Sequence, residues 1–384
     1  MNNRKSHKLV VLIGGLGDIP GALPTITQSI MDSELLQENF RFISHYASRT
    51  KGLGTQGAFN VTNLTLFLRH YAGWIQMLAR HRPELAHYPV TSYWNFPKSV
   101  LFLLSAKLFG CKAVGHLHGG EFDLFWTGMR PISRVLGKCG LNLLDGLIVL
   151  GRKWMDLMVE AGLRSPLFIL PNPIESDFST RKFPDPFASP QKRLLFVGSI
   201  GYRKGVPVLL EAAGKLVKQR QDFHLKLVGS EERNGYMREM KEMASRLLPA
   251  GSYEFTGPIY GNQKIEQFSR SDVFVFPSNN ENLPLVIIEA MAASRPIICT
   301  PVGAVPEYLS HGVSALFTKP NDPENLAKHI EWMFTHPHQS IEMGKKAGMV
   351  YQERLRSEAV MAKLESVYFS ILRREPDGFR QSDY

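Results

Sequence analysis

Short apolar runs alternate with longer amphipathic stretches along the whole chain. The apolar runs of the first half are rich in β-branched and aromatic residues and predict strands at 8–14, 40–46, 90–94, 113–118 and 146–150. The second half repeats the pattern, with predicted strands at 193–198, 224–229, 253–257, 273–277, 296–300 and 315–317. The segments between them, such as 64–82, have helical periodicity. Strands that alternate with helices predict parallel sheets built from βαβ units.

A proline-rich segment divides this pattern into two halves. It reads PNPI at 171–174 and FPDPFASP at 183–190, and such proline density ends regular structure. We therefore predict an α/β protein with two Rossmann-like, doubly wound domains at 1–170 and 191–355, joined by a linker at 171–190. A C-terminal helix within 356–384 is expected to return to the first domain, followed by a frayed tail. Open α/β sheets bind ligands beyond the carboxyl ends of their strands, so two such domains would face each other across a ligand cleft.

The composition is that of an ordinary globular protein, with 384 residues that are 44% hydrophobic and 21% charged. This excludes a disordered, collagen-like or coiled-coil chain. Three cysteines stand far apart without a CxxC pair, which argues against a disulfide framework and a structural zinc site and favours a reducing compartment. The apolar run at 9–13 is too short for a signal peptide, and no run reaches about 18 apolar residues. A cytoplasmic location is expected.

The net charge of +10 is concentrated in the first half. Residues 1–170 carry 18 basic and 10 acidic residues, whereas the rest of the chain carries 27 and 25. This excess indicates an anionic partner, such as a phosphorylated substrate or an acidic membrane face, or else it is scattered solubilising charge. Nucleic acid is not expected, because there is no helix-turn-helix, RNP motif or Lys/Arg run.

One segment could carry the membrane contact. The helix predicted at 64–82 places Leu64, Leu68, Tyr71, Ile75 and Leu78 near one face. That face either contacts anionic lipid or packs against the core of the first domain.

The segment 274–309 carries the most informative chemistry. It is predicted as strand, loop, helix, strand and loop, with Glu281 in the first loop and Glu289 just inside the helix. A loop that enters a helix presents free backbone N–H groups and favours an anion such as a diphosphate. A carboxylate at the same place accepts hydrogen bonds from sugar hydroxyls. Together these features predict a site for a nucleotide sugar.

The same segment resembles a known family. Glu281 and Glu289 form E-x7-E within ENLPLVIIEAMAASRPIICTPVGAVPEYL, which is similar to the signature of family 4 glycosyltransferases, retaining enzymes of the GT-B fold. The resemblance implies that Glu281 holds the donor-sugar hydroxyls and Glu289 the ribose. It also implies diphosphate contacts from the backbone at the start of the helix, at Asn282, Leu283, Pro284 and Leu285.

The resemblance extends upstream of this segment. LFVGS at 195–199, followed by Lys204-Gly205, is similar to the family element in which the lysine contacts the donor diphosphate. Ser199 stands where the family usually has an arginine, and Arg203 is nearby but out of register. The loop after 255–257 corresponds to the one that holds the base, which implicates Ile259.

Two positions of the first half also match the family. His118, in GHLHGGEF, resembles the active-site histidine, whereas His116 is expected in the core. A metal-binding histidine pair is the alternative, but no carboxylate or cysteine lies at a familiar ligand spacing. Gly21 corresponds to the first glycine of the family's Gly-Gly loop, with Ala22 in place of the second.

The resemblance implies retaining, metal-independent transfer from a nucleotide diphosphate sugar, without a cofactor. No D-x-D triplet is present for a diphosphate-bound metal. HLHGGEFDLF is also similar to bacterial capsular and exopolysaccharide enzymes, which implies a glycan or polyprenyl-diphosphate-linked acceptor at the inner membrane face. The alternatives are a catalytically silent GT-B scaffold, or another GT-B enzyme such as a sugar-nucleotide epimerase or a phosphorylase.

Overall fold

The computed structural model describes residues 8–17, 21–46, 61–220 and 222–373. The chain divides into two compact units. The described residues of the first unit are those up to Pro171 together with 358–373, and the second unit contains Asn172–Ser357. Residues 18–20, which precede Gly21 in the loop that resembles the family's Gly-Gly loop, and the tail 374–384 lie outside the described residues.

The first unit contains a six-stranded parallel sheet in the order β2-β1-β3-β4-β5-β6. Its strands are β1 (Leu9–Leu16), β2 (Phe40–Tyr46), β3 (Leu85–Val90), β4 (Lys112–Leu117), β5 (Gly146–Val149) and β6 (Leu167–Ile169). Its helices up to this point are α1 (Ala22–Met31), α2 (Glu34–Asn39), α3 (Val61–His81), α4 (Asn95–Leu108), α5 (Phe122–Gly128), α6 (Pro131–Asn142) and α7 (Arg152–Glu160). Both faces of a parallel sheet are covered, so its strands consist of nearly continuous apolar residues.

One strand prediction in this unit is wrong. The third strand runs over 85–90, whereas the sequence predicted 90–94. Pro89 is unusual in a central strand because proline has no N–H for the ladder. The strand accommodates it because β3 pairs with β1 only as far as His87, and beyond that point it pairs with β4 alone.

Helix α3 contributes to the core of the first unit. Trp74 and Leu78 are fully buried in a cluster with Leu12 and Phe102. Leu64 and Leu68 near its start are 44% and 54% exposed. The central and C-terminal parts of this helix therefore face the core.

The second unit repeats the architecture, with the strand order β12-β11-β10-β7-β8-β9. Its strands are β7 (Lys192–Val197), β8 (Phe223–Val228), β9 (Tyr253–Gly257), β10 (Val273–Phe276), β11 (Ile297–Cys299) and β12 (Leu316–Phe317). Its helices are α8 (Ser176–Thr180), α9 (Val206–Leu216), α10 (Tyr236–Leu247), α11 (Gly261–Arg270), α12 (Leu285–Ala292), α13 (Pro323–Thr335) and α14 (Pro337–Arg354), with a 3-10 turn at Val305–Glu307. The two parallel Rossmann-like sheets predicted from the sequence are confirmed.

Helix α15 (Ser357–Arg373) follows the second unit in sequence, but from Glu358 onward it belongs to the first. Tyr368 is fully buried and meets the Phe40 ring edge-on at a centroid distance of 5.3 Å. Phe369 contacts the same ring at 5.2 Å. Among the described helices, none is both long enough and apolar enough to span a bilayer.

Candidate active site

Three groups converge on one oxygen of Glu281 in the loop between β10 and α12. The Ser278 hydroxyl donates to Oε1 over 2.7 Å, and the Lys204 ammonium also donates to it. The Arg203 guanidinium lies 3.8 Å from the same atom. The side chains of Lys204 and Glu281 keep only 13% and 11% of their surface exposed. A carboxylate and two cations thus lie together at the carboxyl end of the sheet.

The loop after β7 brings Lys204 to this point because it lies directly on the loop after β10. Gly205 has φ +71°, and a Cβ there would lie 2.0 Å from the Pro277 carbonyl oxygen, so only glycine fits. The Asn279 N–H donates to the Arg203 carbonyl over 2.9 Å. The Lys204 ammonium also lies 5.2 Å from the centroid of the Phe276 ring, within cation–π range.

A third loop, after β11, supports the acidic loop from behind. Gly303 has φ +59°, and a Cβ there would lie 2.1 Å from the Asn282 carbonyl oxygen. The Ala304 N–H donates to that same carbonyl over 2.8 Å. Buried Asn172 donates from Nδ2 to the Leu283 carbonyl over 2.8 Å. These contacts fix the backbone that leads into α12.

Helix α12 begins next to this carboxylate. Pro284 is its N-cap, and its side chain forms no capping hydrogen bond to the first turn. Proline has no N–H, so Pro284 itself cannot donate to a phosphate, and its contact with the donor stays a prediction. The candidate donors here are the amides of Asn282, Leu283 and Leu285, and the helix dipole adds positive potential.

Glu289 lies one turn further along α12 and is 1% exposed. Its Oε1 accepts a hydrogen bond from Lys264 Nζ over 2.8 Å, and Lys264 is also 3.4 Å from Glu175. Its Oε2 is buried and has no partner among the described residues. An acceptor in that position suits a ligand hydroxyl.

Burial and the neighbouring charges shift the pKa values of Glu289 and Lys264 in opposite directions. Burial raises the pKa of Glu289, and the ammonium of Lys264 opposes that shift. Burial also works to lower the pKa of Lys264, but Glu289 and Glu175 outweigh it, so the pKa is raised. Lys264 therefore keeps its charge at neutral pH and stabilises the carboxylate form of Glu289.

Lys264 also joins two of the predicted donor contacts. Half-buried Ile259 stands just before α11, and Lys264 lies in the first turn of that helix. The hydrogen bond from Lys264 to Glu289 therefore links the loop predicted to hold the base with the residue predicted to bind the ribose. Lys264 and Asn172 were not predicted from the sequence, because each acts on a residue distant in sequence and neither belongs to a motif. Ser278 was also missed, although it lies only three residues before Glu281 in the same segment.

His118 directly follows β4 in the first unit, at the end of a line of aromatic side chains. Its ring centroid lies 3.9 Å from that of His116. His116 Nδ1 is 3.1 Å from His87 Nε2, and His87 Nδ1 is 2.5 Å from the Tyr368 hydroxyl. His116 is buried, as expected, but in a hydrogen-bonded line that the sequence did not predict.

The hydrogen bonds that join Tyr368, His87 and His116 all donate in the same direction. Burial raises the pKa of Tyr368, so its hydroxyl keeps its proton and donates to His87. His87 then carries its proton on Nε2 and donates to His116. Burial lowers the pKa of His87 to about 3, and lowers those of His116 and His118 as well. At neutral pH His118 is therefore an uncharged imidazole that can donate or accept a hydrogen bond.

The remaining predicted positions give a mixed picture. Gly21 caps the start of α1 in extended backbone, and a Cβ there would meet no described atom within 4 Å. Packing among the described residues therefore does not require glycine, and its role in phosphate approach stays a prediction. Within the described ranges, no group of three or more His, Cys, Asp or Glu side chains is placed to bind a metal ion.

Comparison with known proteins agrees with the geometry of the second unit. Residues 177–349 match the family described as Glycosyl transferases group 1. This second-unit segment is therefore similar to the group 1 glycosyltransferases over less than half of the chain. It contains Lys204, Ile259, Lys264, Glu281 and Glu289, whereas His118 and Gly21 lie outside the matched range.

An uncharacterized glycosyltransferase of Methanocaldococcus jannaschii is 30% identical over 141 residues, which cover 37% of this chain and 35% of that protein. The alignment thus spans about a third of this relative's length. Sucrose-phosphate synthase of Thermosynechococcus elongatus has a similar structure, with a TM-score of 0.75 at 18% identity over 96% of this chain and 100% of that one. HepE of Anabaena, in complex with UDP and glucose, matches with a TM-score of 0.70 at 17% identity over 95% and 100%. The predicted GT-B fold is confirmed.

Proposed function

We propose that the protein is a retaining hexosyltransferase, which transfers a sugar from a nucleotide diphosphate sugar to a glycan or lipid-linked glycan. The observation that carries this proposal is the convergence of Lys204 and Arg203 on Glu281 at the start of α12. We propose that these cations contact the donor diphosphate and that the neighbouring carboxylate accepts hydrogen bonds from the sugar hydroxyls. The complex of HepE with UDP and glucose supports a nucleotide-sugar donor.

In this proposal the anomeric carbon of the donor sugar loses its bond to the diphosphate and gains one to the acceptor oxygen. The departing phosphate oxygen takes the acceptor's proton on the same face of the sugar, so the anomeric configuration is retained. Lys204, Arg203 and the amides at the start of α12 stabilise the negative charge that grows on the leaving group. Glu281 orients the sugar hydroxyls, and Glu289 accepts from the ribose through Oε2.

The Lys204–Glu281 contact changes when the donor enters. Lys204 then shares its hydrogen bonds between Glu281 and the diphosphate, and Ser278 continues to hold the carboxylate. Arg203, which also pairs with Glu232 over 2.7 Å, supplies the second cation in place of the arginine that Ser199 lacks. With two cations at the diphosphate, we expect transfer without a divalent metal or other cofactor.

The acceptor is proposed from the resemblance of the first unit to surface-polysaccharide enzymes. A polyprenyl-diphosphate-linked glycan would place the enzyme at the inner face of the cell membrane as a peripheral protein. His118, as a neutral imidazole, would contact the donor sugar or its diphosphate.

A thermal-shift panel tests the donor site first. The full chain is heated with UDP, GDP, ADP and their sugars, each with and without EDTA. A rise with one nucleotide family that persists in EDTA is the expected result, because a ligand that binds only the folded state raises the midpoint. The proposal fails if none of the nucleotides produces a shift.

The second experiment separates an enzyme from a silent scaffold. The donor identified by the panel is incubated with polyprenyl-diphosphate-linked acceptors, and the products are read by mass spectrometry. A glycosylated product supports the proposal. Nucleotide-sugar binding with neither transfer nor slow donor hydrolysis would support the scaffold.

A further inference from the structure

Helix α6 of the first unit exposes three of its four large aliphatic residues and buries its two glycines. Ile132, Val135 and Leu136 are 76%, 60% and 67% exposed. The residues of this helix that are buried are Gly137, Gly140 and Leu141. This reverses the usual arrangement of an amphipathic helix on a globular core.

The contact of α6 with α4 explains the buried side. A Cβ on Gly137 would lie 2.9 Å from the Phe96 ring, and one on Gly140 would lie 2.6 Å from a Val100 methyl group. The glycines therefore allow the two helices to approach closely. They do not explain why large apolar residues lie on the opposite side.

The exposed side forms a continuous stripe. Ile132, Leu136, exposed Cys139 and Leu143 follow one another at intervals of four, three and four residues, so they share one helix face. Leu143, just after the helix, is 57% exposed, and Leu124 on the preceding helix α5 is 60% exposed. We call the stripe Ile132, Val135, Leu136, Cys139 and Leu143 the α6 face.

The stretch of sequence that contains this face carries charge of one sign. Residues 124–144 contain Arg130, Arg134 and Lys138 and no Asp or Glu. Arg134 is held inward, since it donates to the Thr127 and Met129 carbonyls. Arg130 directly precedes α6 and is exposed, whereas Lys138 is partly exposed and its Nζ would lie 2.6 Å from a Cβ on Gly162.

This combination indicates which partner covers the face. A second copy of the chain would bring these like charges together around the apolar contact, which disfavours pairing. An anionic lipid surface instead offers an apolar layer to the stripe and phosphate groups to the cations. A helix with an apolar face and a basic flank lies in the plane of such an interface.

We propose that the α6 face docks flat on an anionic lipid bilayer. The apolar stripe enters the boundary between headgroups and acyl chains, while Arg130 and Lys138 contact lipid phosphates. The inference rests on the proposed function only for the role of the docking, which is to bring the enzyme to a lipid-linked acceptor. Docking itself needs neither donor nor acceptor.

Vesicle co-sedimentation of the full chain tests the proposal. The probes are phosphatidylcholine vesicles with and without phosphatidylglycerol. We expect binding that depends on phosphatidylglycerol and falls about tenfold or more in the Ile132→Ser, Leu136→Ser double variant, because two exposed apolar side chains lose their burial in lipid. Leu108→Ser is the matched control, because Leu108 is 87% exposed at the end of α4 and lies off the face. Equal binding by the wild type and the double variant overturns the proposal, and so does binding that ignores lipid charge.

Cys139 provides a direct probe of insertion. It is the exposed cysteine of the three, since Cys111 and Cys299 are buried. A nitrobenzoxadiazole label on Cys139 should shift to the blue on addition of phosphatidylglycerol vesicles and not on dilution or concentration of the protein alone. An unchanged spectrum with vesicles overturns the proposal, as does a shift that follows protein concentration and marks a dimer.

The nucleotide thermal shift is measured on the same variants. Loss of vesicle binding with an unchanged nucleotide thermal shift would show that the α6 face binds lipid independently of the donor site. A missing nucleotide shift in the wild type, with vesicle binding intact, would instead count against the proposed function alone.

Discussion

The two units carry the same kind of sheet but stabilise their buried polar groups in opposite ways. In the second unit, Lys264 keeps its charge and pairs with the carboxyl group of Glu289, with Glu175 as a third member. In the first unit, Tyr368, His87 and His116 remain neutral and are joined by directional hydrogen bonds. A charged cluster depends on every partner being present, because an unpaired buried charge is costly. The stability that neutral, hydrogen-bonded residues contribute depends on pH, because a proton added to them has no counter-charge.

Removal of Lys264 should give the largest effect. Lys264→Met leaves Glu289 buried without its cation and should cost about 3–5 kcal/mol in the free energy of unfolding of the second unit. Urea denaturation measures this loss. The double variant Lys264→Met, Glu289→Met should recover much of it, and strictly additive losses would show that the pair is not coupled.

The next effect concerns catalysis in the same unit. Lys204→Ala and Glu281→Ala should each lower turnover about 100-fold or more, equivalent to about 2.7 kcal/mol, if they act on the transition state as proposed. Steady-state kinetics with the identified donor and acceptor measure this. Lys215→Ala is the control, since Lys215 pairs on the surface with Glu324. Near-normal rates in both site variants would refute the assigned roles.

Acid should lower the stability of the first unit through its neutral, hydrogen-bonded residues Tyr368, His87 and His116. The pKa of His87 is lowered to about 3 in the folded state, whereas an unfolded histidine titrates near 6.5. Below pH 6.5 the unfolded chain binds more protons, so stability is full above that pH and falls as pH falls toward 3. Between pH 7 and pH 5 the loss should be about 2 kcal/mol for this histidine.

Thermal unfolding followed across this pH range measures the effect, with His87→Gln as the comparison. The variant should show a flatter pH profile than the wild type. Identical profiles would mean that His87 does not titrate on unfolding as argued.

The smallest effect should come from Arg203. Its side chain is 41% exposed, so its contribution is screened by solvent. Arg203→Ala should weaken nucleotide diphosphate binding about threefold to tenfold, measured by calorimetry, and the effect should shrink at high salt. Glu232→Gln, which frees Arg203 from its partner, should leave binding unchanged or tighten it. Weaker binding in that variant would argue against Arg203 as a phosphate contact.

The sequence predicted those features that depend on local pattern. Continuous apolar runs gave the position of β9 and, within two residues, of β1 and β10. Glu281, Lys204 and Glu289 were identified because they lie in motifs. The structure adds that Lys204 donates to Glu281 and that one oxygen of Glu289 has no partner among the described residues.

Other features depend on contacts between distant residues. Lys264 is an ordinary helical lysine in sequence, and only the packing of α11 against α12 gives it Glu289 as a partner. The exposed side of α6 was missed for a related reason. Hydrophobicity alone suggests that Ile132 and Leu136 are buried, but the close contact with α4 selects the glycine side instead.

The path of α15 has a consequence for how the protein is made. Its residues complete the first unit, yet they leave the ribosome only after the whole of the second unit has been synthesised. Until then Phe40 and His87 lack the aromatic and hydroxyl contacts that Tyr368 provides. The second unit, from Asn172 to Ser357, can therefore mature first, and the N-terminal sheet cannot close its core until α15 has been synthesised.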